Sequence, residues 1–475
     1  MANQNQRLQN IVEQLSESPL DPSKSSKTKI ISRQSLVILI YITILFVLSI
    51  CQGEDSVRLP EGVKAVWDVE KAYRQSTPTR ERICINGLWR WQPADRDTDA
   101  VPSEGWGYFK VPGCWPGISD YMQKDSQKVY IQPRWKDRNL RTITSAWYQR
   151  QITIPVEWAE RRINIQAEYV NSYAQVYLDG RNAGTIVFPG GQLDITAYCR
   201  PGDTHVLSIF ITAMPLKAVL LSYTDTASAK EVKGSVARRG LCGDVYLEST
   251  PPAAHITDVK VDTSVRKWQI TFDAKLDDLV ANVSYIFKAE ITENNQSVAE
   301  FTSETFEKND LANGHFSFTK NWKPEKLWDI HTPQNMYHLR LSLLQAGGKV
   351  IDTDYPKRFG FREFWIDGRD FFLNGSRVFL SCVPLDNAQI GAALANYEAA
   401  KESLERLKSF GINFVYTHNY GCQPGSHLSF TEILKAADDV GMLVALSQPH
   451  FSHYDWEMPD ADETNGYARH AEYYV

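Results

Sequence analysis

The chain has 475 residues and a mass of 54.1 kDa, with 43% apolar and 23% charged side chains, proportions that exclude disordered and collagen-like classes and suit about three domains. Its 51 basic and 57 acidic side chains leave a net charge of -6, so there is no basic surplus to condense on a phosphate backbone, which argues against a nucleic-acid partner. Aromatic residues at 12% favour sheets, and much β structure is expected.

Residues 1–35 form a polar arm carrying Arg7, Lys24, Lys27, Lys29 and Arg33, and basic residues ahead of an apolar run keep such an arm in the cytoplasm. The run itself, LVILIYITILFVLSI from Leu36 to Ile50, is free of charge. At 1.5 Å per residue it spans roughly 23 Å, short of the ~30 Å hydrocarbon core, so residues 36–51 fit a secretory signal and a short membrane anchor equally. The remainder of the chain is expected outside the cytoplasm, in the periplasm or at the cell surface. Leu48-Ser49-Ile50-Cys51 resembles a lipoprotein cleavage site, except that Ile50 stands where a small residue is usual. The seven cysteines lie at least 30 residues apart, without the close pairs of zinc knuckles or redox motifs.

From Val57 to about Thr250 short alternating runs are punctuated by Asn86-Gly87, Asp179-Gly180 and Pro189-Gly190-Gly191, the pattern of an antiparallel sandwich. Ala174, Val176 and Leu178 fall on one face of a strand, and Asp179-Gly180 supplies the positive φ of a tight hairpin. Trp89, Trp91, Trp106, Trp115, Trp135 and Trp147 read as core. Pro251-Pro252 cannot donate to a central ladder and marks a boundary. Residues 253–358 carry new strands, among them Ile256–Val261 and Tyr337–Leu343, in about the length of an immunoglobulin-like sandwich.

After Phe361 the period changes. Phe371–Leu373, Asn374-Gly375 and Arg377–Leu380 read as a hairpin. Tyr397, Ala400, Leu404, Leu407 and Phe410 recur at helical spacing until Gly411. Ile412–Tyr416 is an apolar strand, a capping box of Ser429 and Glu432 opens a second helix, Gly441 closes it, and Met442–Leu446 forms another strand. Strand, helix, strand, helix, strand with short links opens a parallel α/β unit.

Two sandwiches followed by such a unit, with particular residues in particular places, resemble the glycoside hydrolase family 2 group, which includes β-galactosidases and β-glucuronidases. The resemblance lies in Ala146–Pro155, in Leu178-Asp179-Gly180 with Gly184, in Leu193–Thr196 and in Gly240–Val245. It continues at Phe359-Gly360-Phe361-Arg362 and Phe372-Leu373-Asn374-Gly375. It implies a mainly β, multidomain fold: a jelly-roll-like sandwich over 57–250, an immunoglobulin-like sandwich over 253–358, and the first part of an incomplete (β/α)8 TIM barrel, about three strands, over 361–475. It also implies hydrolysis of O-glycosidic bonds of carbohydrates with retention, which requires two carboxyl groups about 5 to 5.5 Å apart. The family's acid/base Glu follows an Asn, and no Asn-Glu pair occurs after residue 374. Both catalytic glutamates are therefore expected beyond Val475, and the catalytic set within this chain is none.

Barrel active sites gather at the C-terminal ends of the strands. Asp386 after the first strand, His418 and Asn419 after the second, and Gln448 and His450 after the third have the chemistry to bind sugar hydroxyls, and Trp456 offers an aromatic face to a sugar ring. Of these, His418 matches the family's His, whereas Tyr416 stands where it has an Arg. His450 and His453 with Asp455 lack a third ligand on one face, so neither a metal nor another cofactor is expected. The expected partners are a carbohydrate and, if residues 36–51 are retained, the membrane. The alternative is a non-catalytic surface protein that binds carbohydrate or serves as a scaffold.

Overall fold

The computed structural model describes residues 57–94, 100–113, 115, 129–171, 173–187, 190–213, 215–221, 230–235, 239–385, 397–417 and 430–445. All lie in Ser56–Val475, the second of two units into which the chain divides; the arm and the apolar run at 36–51 lie outside the described residues. No described helix is long and apolar enough to cross a membrane.

The first β region consists of two facing sheets. One has five strands in the order Arg74–Ser76, Glu81–Cys84, Val245–Thr250, Arg162–Ala167, Gly191–Asp194. The other has seven, in the order Arg181–Val187, Tyr173–Leu178, Thr204–Thr212, Ser145–Thr153, Gly87–Ala94, Gly107–Val111, Val129–Tyr130. Alternation decides the faces: Ala174, Val176 and Leu178 point into a core that they share with Ile165 and Leu247 of the opposite sheet. Asp179 and Gly180 turn the hairpin with φ of 49° and 79°, as their sequence predicts. Trp89, Trp91, Trp106, Trp115, Trp135 and Trp147 are all buried, as their sequence context predicts. Tyr177, on the other face of its strand, is buried too, against Trp106, Trp147 and Phe210.

Beyond Pro251-Pro252, the strands His255–Ser264, Gln269–Asp277 and His315–Asn321 form one sheet. Gln296–Thr302, Tyr285–Glu293, Tyr337–Gln345 and Val350–Thr353 form a second, and Lys357–Phe359 also pairs with Tyr337–Gln345. A core rich in phenylalanine, including Phe272, Phe287, Phe306 and Phe318, fills the space between them.

The chain then makes a small antiparallel sheet from Phe364–Asp367, Asp370–Leu373 and Ser376–Val378. Three parallel strands follow, Cys382–Leu385, Phe414–Thr417 and Leu443–Ala445, with helices α1 (Tyr397–Ser409) and α2 (Phe430–Val440) between them. Ala400 and Leu404 of α1 and Ile433, Ala436 and Ala437 of α2 bury one face of this sheet together with Val415. Phe410 departs from the expected helical run: α1 ends at Ser409, one residue before it, and the ring is 84% exposed. Among the described cysteines, Cys84, Cys199 and Cys382 are free thiols.

Candidate functional site

The parallel strands are in register, with Leu385 opposite Thr417 and Tyr416 opposite Ala445, so the chain leaves the sheet at one common end after each strand. That end is where a parallel α/β sheet collects ligand-binding loops. The residues predicted to line it, Asp386, His418, Asn419, Gln448, His450 and Trp456, lie outside the described residues, as does Ser429 of the predicted capping box.

What the structure does show is how this sheet is mounted. The last turn of helix α2 carries Asp438-Asp439, two negative charges at the negative end of the helix dipole, an unfavourable placement unless cations meet them. Arg362 donates to Asp438 at 2.7 Å, and Arg358 pairs with Asp439, whose other oxygen accepts from the Tyr397 hydroxyl of α1 at 2.7 Å. The Trp328 indole donates to the Asp438 carbonyl at 2.9 Å, and the Arg362 guanidinium lies 4.2 Å above the Trp328 ring. Lys408 caps α2 from α1 by donating to the Val440 carbonyl, and it also donates to Ile330 at 2.6 Å. Burial lowers its pKa, against the opposing pull of Asp329.

The motif residues around Phe361 and Asn374 belong to this mounting. Phe361 is fully buried against Trp322, with ring centroids 5.4 Å apart. Gly360 has no space for a side chain, since a Cβ there would lie 2.5 Å from the Trp328 Cβ. Asn374, at φ 52°, accepts from the Glu363 amide at 3.0 Å and donates to the Trp328 carbonyl at 2.8 Å. These residues position the parallel sheet; their part is structural. Sequence reasoning missed the Asp438-Asp439 pair, for which two acids ending a predicted helix were the available signal.

A cavity of about 370 Å³ lies in this junction, lined by Trp328, Arg362, Phe364, Phe414, Asp438 and Leu443 among others. Phe414 and Leu443 are the first residues of their strands, so the cavity lies at the sheet end opposite Leu385, Thr417 and Ala445. Among the described residues, no group of three or more His, Cys, Asp or Glu could hold a metal ion.

The fold is shared with solved β-glucuronidases. The Bifidobacterium dentium enzyme, in complex with coumarin-3-O-glucuronide, superposes with a TM-score of 0.60 at 18% identity, over 79% of this chain and 62% of that one. The Dictyoglomus thermophilum enzyme does so with a TM-score of 0.56, also at 18% identity, over 79% and 59%. In sequence, residues 254–362 match the model of glycosyl hydrolases family 2. A β-galactosidase from Priestia megaterium is 24% identical over 377 residues, which cover 71% of this chain and 33% of that protein. The chain thus spans about a third of the length of this curated relative. It is similar in sequence to glycosyl hydrolases family 2 over residues 254–362, and in fold to solved β-glucuronidases over most of its length.

Proposed function

We propose that the chain is the front part of an exported family 2 glycosidase acting on O-glycosidic bonds of carbohydrates. In this reading 1–35 is a cytoplasmic arm and 36–51 a signal or membrane anchor. Residues 57–250 are a jelly-roll-like, sugar-binding-type sandwich, 253–358 an immunoglobulin-like sandwich, and 361–475 the opening of a (β/α)8 barrel. The observation that carries it is the set of three in-register parallel strands, mounted on the second β region by the family's own motif residues. Asp386, His418, Asn419, Gln448, His450 and Trp456 then form the part of the sugar-binding rim that this chain supplies. With no Asn-Glu pair after residue 374, the chain alone turns nothing over.

That same lack favours a second reading, a non-catalytic carbohydrate-binding or scaffolding protein. Two measurements on the 475-residue chain separate the possibilities: hydrolysis of chromogenic β-galactoside, β-glucuronide and β-mannoside, and calorimetric binding of the corresponding sugars. The glycosidase reading expects no hydrolysis and binding weakened at least tenfold by Asp386→Ala or His418→Ala. Sugar binding that neither substitution alters supports the second reading, and hydrolysis by this chain overturns the assignment of the catalytic pair.

A further inference from the structure

Every residue of the strand Val245–Thr250 is buried, although it lies in a sheet with only one face toward the core of the first β region. Val245 and Leu247 belong to that core. On the other face, Tyr246 and Glu248 are covered from the second β region, whose residues 352–355 hydrogen-bond the turn ahead of Glu81–Cys84. The Thr77 hydroxyl donates to the Thr353 carbonyl at 2.8 Å, and the Thr79 hydroxyl donates to Asp352 at 2.9 Å. The Arg82 guanidinium lies over both the Tyr246 ring, at 4.6 Å, and the Tyr355 ring, at 5.0 Å.

Glu248 is only 2% exposed, and among the described residues no cation is paired with it directly. Its cross-strand neighbours are Arg82 and Asn164, the Gln192 amide donates to it at 2.5 Å, and Arg80, Asp354 and Tyr355 face it from the junction. Arg80 is committed elsewhere, to Asp352, to Asp354 at 3.2 Å and to the Ile256 carbonyl. The Nε of Arg82 donates to Gln75 at 2.8 Å. Asp354, itself an anion, is paired with Arg80 and, at 3.8 Å, with Lys357. Among the described residues, no Lys, Arg or His forms an ion pair with Glu248. A buried carboxylate without an ion partner is costly, and the usual relief is to take up a proton.

We infer that Glu248 carries a proton in the folded protein, and that its loss in alkaline solution sets a second buried negative charge against Asp354 and so loosens the seam between the two β regions. Burial, the dominant influence, raises its pKa against the opposing charges of Arg80 and Arg82 and a hydrogen bond from Tyr355, while Asp354 adds to the rise. The linkage runs in one direction. The folded state binds the proton more tightly than the unfolded chain, so the contribution is whole below the unfolded value of 4.5 and declines as pH rises through the folded one.

The test compares the full chain with Glu248→Gln, which imitates the protonated form, by hydrogen exchange of residues 245–250 and 350–355 from about pH 5 to about pH 9. Intrinsic exchange accelerates equally in both proteins, so protection factors are compared. They should fall with pH in the wild type and stay level in the variant. Parallel protection in the two proteins overturns the inference. Infrared difference spectroscopy on the wild type alone gives an independent reading should the variant fail to fold: a protonated-carboxyl band should persist at about pH 7 and vanish at higher pH. A wild type without that band at about pH 7 overturns the inference equally.

Discussion

Arg80 and Asp352, 272 residues apart in sequence, form a buried two-point ion pair across the seam of the two β regions, with Nε donating to Oδ1 at 2.8 Å and Nη2 to Oδ2. The side chains are 5% and 0% exposed. Burial alone would lower the arginine's pKa; the hydrogen bonds and charge of Asp352 outweigh it and raise the value. Asp352 is held as well by the Ile256 amide at 2.8 Å. Removing one partner strands the other charge away from water, at a cost of about 3–5 kcal/mol. Asp352→Ala and Arg80→Ala should each lower the urea midpoint correspondingly, whereas Arg80→Met with Asp352→Leu should recover part of the loss. A single-variant cost below about 1 kcal/mol would show that water already reaches the pair.

The contacts of Arg362 with Asp438 predict a smaller effect, because both side chains are partly in water, 38% and 29% exposed. A double-mutant cycle of Arg362→Ala and Asp438→Ala should give a coupling of about 1 kcal/mol or less. The single costs should be unequal. Arg362→Ala also removes the guanidinium from the Trp328 face, while Asp438→Ala relieves the repulsion between a carboxylate and the helix terminus. Equal costs would place the whole effect in the ion pair.

Gly240 is constrained twice over, which explains a glycine in the segment Gly240–Val245. Its φ is +112°, and a Cβ would stand 2.5 Å from the Tyr148 hydroxyl and 2.7 Å from the Trp115 indole nitrogen, both on fully buried rings. Gly180, at φ +79°, has nothing within 4 Å of the same position. Gly180→Ala should therefore cost only the backbone term, about 1 kcal/mol, and Gly240→Ala about 3 kcal/mol or more, compared by thermal unfolding. Similar losses would mean that the rings move aside for the methyl group.

Periodicity reports which face of an element avoids water, and where the buried face is local it was enough. The positions 174, 176 and 178, the Asp179-Gly180 hairpin and the inner face of α1 follow from it. It is silent on what a second region covers. Val-Tyr-Leu-Glu-Ser-Thr at 245–250 reads as a strand with one wet face, yet all six residues are buried because residues 352–355, about a hundred positions away, pack on that face. Phe410 shows the opposite failure, since the apolar spacing continued one residue past the point where the helix ended. The candidate rim was legible only through resemblance to a family. Its residues follow strand ends, and no periodic pattern marks which loop side chains meet.

Glu363 supplies the last prediction, on the acid side. Its carboxylate accepts from the Arg266 Nε at 2.7 Å, from the Arg266 amide at 2.8 Å and from the Ser264 hydroxyl at 3.0 Å. Burial works to raise its pKa, but these hydrogen bonds and the arginine's charge prevail and hold it below the usual 4.5. A carboxyl group with a depressed folded pKa stabilises fully above its unfolded value and ceases to do so as pH falls through the folded one. Glu363→Gln should accordingly melt below the wild type at about pH 7, and the gap should narrow as the solution is brought to about pH 3. It should also loosen the start of the strand Phe364–Asp367, because Glu363 adjoins the Asn374 turn that mounts the parallel sheet. A gap of constant size across that range would assign the role of Glu363 to shape and hydrogen bonding rather than to charge.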